Sequence, residues 1–191
     1  MKLKSLAWMI TAVALVSTSP TGTARATGGQ AHGGQAHAGD ASGPLPSAVR
    51  EATRRFQDPN VAIAAGYAQS DVCVSGPEKG AMGIHYANLS LFDDRLDVEN
   101  PEVLVYEPRK NGQLELVAAE YITPAAAWQA SNPPGTQPVL NGHLLHFVNG
   151  PNRYGPDAFY ELHVWAWRGN PSGTFADWNP KVSCAPWGGG S

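Results

Sequence analysis

Asn111-Gly112 constrains this chain more than any other pair of residues. It stands between two β-rich runs, "EVLVYE" (Glu102–Glu107) and "QLELVAAEY" (Gln113–Tyr121). Asn-Gly favours the positive-φ turns that reverse a chain, so the two runs read as an antiparallel hairpin. Three more segments read as strands: "GIHYA" (Gly83–Ala87), "HLLHFV" (His143–Val148) and "AFYELHVWAW" (Ala158–Trp167), the last as the longest strand. The loops "SNPPGTQP" and "NGPNRYGPD" separate them. Upstream, "PSAVREATRRFQDPNVAIAAGY" reads as helical, with Ser47 as a cap and Val49, Ala52 and Phe56 on one face. Asp58-Pro59 opens a second short helix there, and Pro124–Ala130 offers a third. The fold class is α+β: N-terminal helices packed on a mainly antiparallel sheet or small barrel.

Lys2 and Lys4, an apolar stretch from Leu6 to Val16 and Ala24-Arg25-Ala26 have the order of a signal peptide cut near Ala26. The apolar stretch is shorter than the roughly 20 residues of a membrane-spanning helix, and no other such run follows. The expected location is secreted or periplasmic. Thr27–Gly43 repeats GGQAH, ending at His32 and His37, and reads as a flexible tail. Residues 44–187 are expected to form one domain, with 188–191 as a disordered C-terminus. The only two cysteines, Cys73 and Cys184, fall in the exported part and are expected to pair. The formal charge is −3 and becomes more negative when Lys2, Lys4 and Arg25 leave with the signal peptide. A nucleic-acid partner would need a basic patch, so that class is set aside.

Strand alternation puts Phe159, Glu161, His163, Trp165 and Trp167 on one face. Tyr160, Leu162, Val164 and Ala166 take the other, read as the core face, which leaves Glu161 and His163 on the wall of a cleft. Four histidines, His85, His143, His146 and His163, all lie in strand-like segments. Imidazole is the commonest metal ligand and strands hold it stiffly. His143 and His146 have opposite parity, and His146 lies between apolar neighbours, so His146 is the chosen one. The candidate ligands are therefore His85, His146 and His163 with Glu107, and Glu120 is a further available carboxylate. Glu161 is the candidate catalytic base or acid, or a fourth ligand. Two or three imidazoles with a carboxylate suit Zn, Cu or Fe. The acidic stretch "FDDRLDVEN" lacks the calcium-loop spacing and reads as a solvated loop.

The motifs "CVSGPEKGAMGIHYAN", "PEVLVYEP", "PNRYGPDAFYELHVWAW" and "NPSGTFADWNPKVSC" resemble those of a family of exported bacterial proteins of unknown function. The resemblance spans about Gly66 to Cys184 and implies one compact exported domain; it brings no activity, cofactor or catalytic residue. Three functions follow from the residues. The first is a His/Glu-based transition-metal-binding protein or metalloenzyme. The second is a non-catalytic module binding a small ligand or carbohydrate through Trp165, Trp167 and Tyr154. The third is a structural envelope protein without a site, whose histidines would be exposed and titrate independently. The sequence leaves the oligomeric state open.

Overall fold

A computed structural model describes residues 43–187 apart from Pro77 and Pro156. The segment expected to be a signal peptide, the rest of the Gly/His-rich tail with His32 and His37, and residues 188–191 lie outside the described residues. Helices α1 (Pro44–Thr53) and α2 (Pro59–Ala64) precede the sheet, joined by a 3-10 turn, and α3 (Ala125–Ser131) follows its longest strand. Strands β1 (Ala68–Gln69), β2 (Val74–Gly76), β3 (Gly80–Ala87), β4 (Val103–Pro108), β5 (Leu114–Pro124), β8 (His146–Val148) and β9 (Phe159–Val164) form the main sheet. Its order is β1-β3-β4-β5-β9-β8, with β2 also on β3, every pairing antiparallel. Strands β6 (Val139–Leu140) and β7 (His143–Leu144) make a separate two-stranded sheet. The α+β class holds, and the main sheet is open rather than a barrel.

The expected β4/β5 hairpin is present: Pro108 pairs with Leu114, and Arg109 N donates to Gln113 O across the loop. Helix α1 starts earlier than a Ser47 cap would set it. Pro44 takes the first helical position after Gly43, where the missing N–H costs nothing. Its buried residues Leu45 and Val49 pack with Tyr121, Leu162 and Val164, and Phe56 packs just beyond the helix. Each such side chain removed from water contributes about 1.5–3 kcal/mol. Asp58 caps α2 as expected, accepting from Asn60 N. The face of Leu162, Val164 and Ala166 is thus the helix-covered core face.

Three expectations change. The Glu161/His163 face is not a cleft wall: both residues are buried, under loops that carry Tyr154, Ala176 and Asp177. "AFYELHVWAW" is not the longest strand. Strand β9 ends at Val164, where Trp165 N turns to Thr174 O, and β5 is nearly twice as long. "HLLHFV" is broken at Leu145, whose side chain is fully buried and whose N–H donates to Pro138 O. His143 therefore goes to the small sheet, its ring against Phe175, and His146 alone reaches the main sheet.

Gly83 shows why the chain near His85 is built as it is. Its φ is +117°, and a Cβ there would lie 2.6 Å from Tyr106 O. Only glycine allows β3 to approach β4 this closely. The Cys73–Cys184 disulfide ties the segment before β2 to the end of the closing segment. Among the described residues, no helix is long and apolar enough to cross a membrane.

Glu102, just before β4, is buried, and its Oε2 accepts a hydrogen bond from Ile122 N. Burial pushes its carboxyl up to about 8 from an ordinary 4.5. The folded state therefore holds a proton that the unfolded chain gives up, and stability falls as pH rises from about 4.5 through 8. Glu102→Gln keeps the protonated shape and removes the titration. The variant is expected to match the wild type at pH 4.5 and exceed it by on the order of 2 kcal/mol at pH 9, measured by urea unfolding. Parallel pH profiles for the two proteins would refute this.

Candidate metal centre

Strand register brings the first group together. Glu120 on β5 lies directly opposite His163 on β9 and, on its other side, opposite Val103 on β4. His85 on β3 lies opposite Val105. Cross-strand partners share a face, so all five side chains stand on one side of the sheet. The short Val103 and Val105 leave room for His85 to reach over β4. Its Nε2 comes within 3.7 Å of Glu120 Oε2, and His163 Nδ1 within 3.9 Å of Glu120 Oε1. The two imidazoles meet edge to face, with centroids 6.1 Å apart.

His85, Glu120 and His163 are all fully buried. Neither nitrogen of either imidazole has a hydrogen-bond partner. Each ring must carry at least one N–H at neutral pH, and a buried unsatisfied group costs roughly 1–3 kcal/mol. Two such rings facing one carboxylate, with one donor atom from each residue inside a 4.8 Å span, can hold a metal ion. Metal–nitrogen bonds near 2.0–2.1 Å place neighbouring ligand atoms roughly 3–4 Å apart, close to the separations found here.

Electrostatics suit a cation. Burial lowers His85 to about 3 despite the Glu120 charge beside it, and burial lowers His163 as well. Both rings are therefore neutral, with lone pairs to offer. Burial works against the Glu120 carboxylate, but the charged Arg153 beside it holds Glu120 well below the usual range. Tyr154 Oη donates to Glu120 Oε2 at 2.9 Å, and Arg153 donates to Glu120 Oε1. These contacts fix the carboxylate in place, as outer partners of metal ligands do.

A second group adjoins the first. His146 on β8 lies opposite Glu161 on β9, and His146 Nε2 shares a 2.9 Å hydrogen bond with Glu161 Oε1. Asp177, from the closing segment, brings Oδ1 to 3.5 Å from His146 Nε2 and 3.8 Å from His163 Nδ1. Donor atoms of His146, Glu161 and Asp177 also lie within 4.8 Å of one another. Arg153 joins the two groups, donating to Glu120 and, at 2.5 Å, to Glu161 Oε2. Burial and then repulsion from Glu120 raise Glu161 to about 8. The hydrogen bond to Glu161 raises His146.

The structure brings His85 and His163 together but puts His146 in the neighbouring group. Glu107 belongs to neither group. Its Oε1 accepts from Ser183 N, and its Oε2 lies 3.1 Å from both Arg109 and Arg168. It shares a face with Val103, but four residues along a strand is about 13 Å. Trp165 is fully buried and donates from Nε1 to Ala176 O; Trp167 donates from Nε1 to Thr53 Oγ1. With Tyr154 turned to Glu120, all three aromatic candidates spend their polar atoms inside the protein. Asp177 and Arg153 are additions that the sequence did not mark. Compared with protein-family models, with curated proteins and with solved structures, the chain finds no significant match in any of the three.

Proposed function

We propose that this chain is an exported metal-binding protein whose primary site is His85, Glu120 and His163. One observation carries the reading: two imidazoles, buried and with all four nitrogens lacking hydrogen-bond partners, each turn one nitrogen toward a fixed carboxylate. A fold with no use for these rings would gain stability by replacing them with apolar residues. The two-nitrogen, one-oxygen set is the donor chemistry of zinc, iron and copper. Three protein ligands leave coordination positions for water or substrate, as catalytic rather than structural zinc sites do. Glu161, buried beside Arg153 with its carboxyl raised by that burial, is the residue placed to exchange a proton with a group bound there. The disulfide is compatible with export. The alternative of a protein without a site implies exposed, independently titrating histidines, which does not describe His85 or His163.

The test uses the double variant His85→Leu/His163→Leu. His32 and His37 are replaced by alanine in this protein and in its reference, so the tail binds nothing. Elemental mass spectrometry on untagged protein is expected to show one equivalent of transition metal fewer per chain. Metal-free thermal unfolding is expected to show equal or higher stability, because the unsatisfied rings are gone. Metal content equal to the reference would refute the reading.

A further inference from the structure

We propose a second cation site at His146, Glu161 and Asp177, open to solvent and distinct from the buried one, that takes a divalent transition-metal ion. The donors come from three separate elements: β8, β9 and the closing segment. His146 and Asp177 line a cleft of about 490 Å³, shared with Glu78, Lys79, Ser172 and Trp178. His146 is 44% exposed and Asp177 35%, whereas Glu161 beneath them is buried. An ion arriving from solvent thus meets an imidazole and a carboxylate at the surface and a second carboxylate below.

A hydrogen-bonded His146–Glu161 pair with a solvated aspartate nearby would need no metal. Two observations point further. Asp177 converges on two imidazoles, and among the described residues its only ion-pair contacts are with His146 and His163. His163 Nδ1 is fully buried, without a hydrogen-bond partner, and 3.8 Å from Asp177 Oδ1. That nitrogen also lies 3.9 Å from Glu120 Oε1, so the outer group rests on the polar edge of the buried one and not on apolar side chains. Arg153 already neutralises part of the Glu120 and Glu161 charge, but among the described residues Asp177 has no arginine or lysine within ion-pair distance. An imidazole with two carboxylates suits zinc and neighbouring divalent ions.

The experiment titrates Zn²⁺ into the metal-free mature chain carrying His32→Ala and His37→Ala, with stoichiometry read by equilibrium dialysis and elemental analysis. Two variants are made in that background: His146→Gln/Asp177→Asn, at partly exposed positions, and His85→Leu. The background is expected to bind two equivalents. His146→Gln/Asp177→Asn should lose one, or weaken it at least tenfold, and His85→Leu should retain that same one. If the first variant binds Zn²⁺ with unchanged stoichiometry and affinity, the outer site is overturned. A loss seen only in His85→Leu would then leave the buried site standing alone. Conversely, one equivalent that survives His85→Leu intact and disappears from His146→Gln/Asp177→Asn supports the outer site without the inner. Absence of Zn²⁺ binding to the background overturns both.

Discussion

Replacing Arg153 with methionine is expected to destabilise the metal-free protein by about 3–5 kcal/mol, the cost of breaking a buried ion pair by removing one partner. Arg153 donates to Glu120 and to Glu161, and both carboxylates are buried. Without the guanidinium, two acidic groups face each other, and among the described residues the only group near them that can carry positive charge is His146. Methionine keeps an apolar chain but removes the guanidinium that lies over the Tyr154 and Phe159 rings, so the loss reports charge, hydrogen bonding and that cation–π contact. The second half of the prediction separates a metal site from a structural salt bridge. A divalent ion bound at His85, Glu120 and His163 supplies positive charge to the same carboxylate. Binding stabilises the folded wild type and variant alike, by roughly 2.7 kcal/mol at a hundredfold excess over Kd, and in the variant the ion also replaces the charge missing beside Glu120. Urea unfolding of Arg153→Met should therefore show a large deficit without metal and a much smaller one with saturating Zn²⁺. A deficit of the same size under both conditions would mean that Arg153 holds the sheet face together and the metal does not reach it. A variant as stable as the wild type would contradict the ion-pair argument itself.

How far the sequence reached depends on whether each feature is local. The hairpin was legible because Asn111-Gly112 sits between two β-rich runs, and the second helix because Asp58-Pro59 is a self-contained cap. His85 and His163 were legible as rare imidazoles in strands. Their convergence needed the strand order, which period-two alternation does not supply. Glu120 carried a signal that was used only weakly: it is the single charge in the apolar run Val117–Ile122. A lone carboxylate in a buried strand requires a partner. Glu107 has the right parity but the wrong position along β4, and parity cannot express distance. Arg153 and Asp177 come from loops whose approach to the sheet is set by tertiary packing, so their neighbours along the chain say nothing about the site. The end of β9 at Val164 was invisible for a related reason. Trp165 and Trp167 continue an apolar pattern, yet their backbone bonds go to Thr174 and Val117.

The disulfide is where sequence and structure meet most directly, and its removal should have the other large effect. Cys73 and Cys184 are 111 residues apart and both buried in the main core cluster. In the chain-entropy model, closing a loop of that length restricts the unfolded chain by roughly 4–5 kcal/mol. A domain of this size has only about 5–15 kcal/mol of stability in total. Cys73→Ala/Cys184→Ala is expected to lose most of that 4–5 kcal/mol in urea unfolding, and the wild type measured with a thiol reductant should show the same loss. Either single substitution should be about as damaging as the double, because the bridge is lost once. The bond also has a local task. The closing segment carries Asp177 and ends at Cys184, and Asn179 within it pairs with Ala81 on the strand that carries His85. Amide exchange should consequently quicken in the closing segment of the reduced protein before it does so in β4 and β5, where both neighbours are paired strands. Uniform acceleration across the sheet would mean that the bridge stabilises the fold as a whole and leaves the placement of Asp177 to the loop itself.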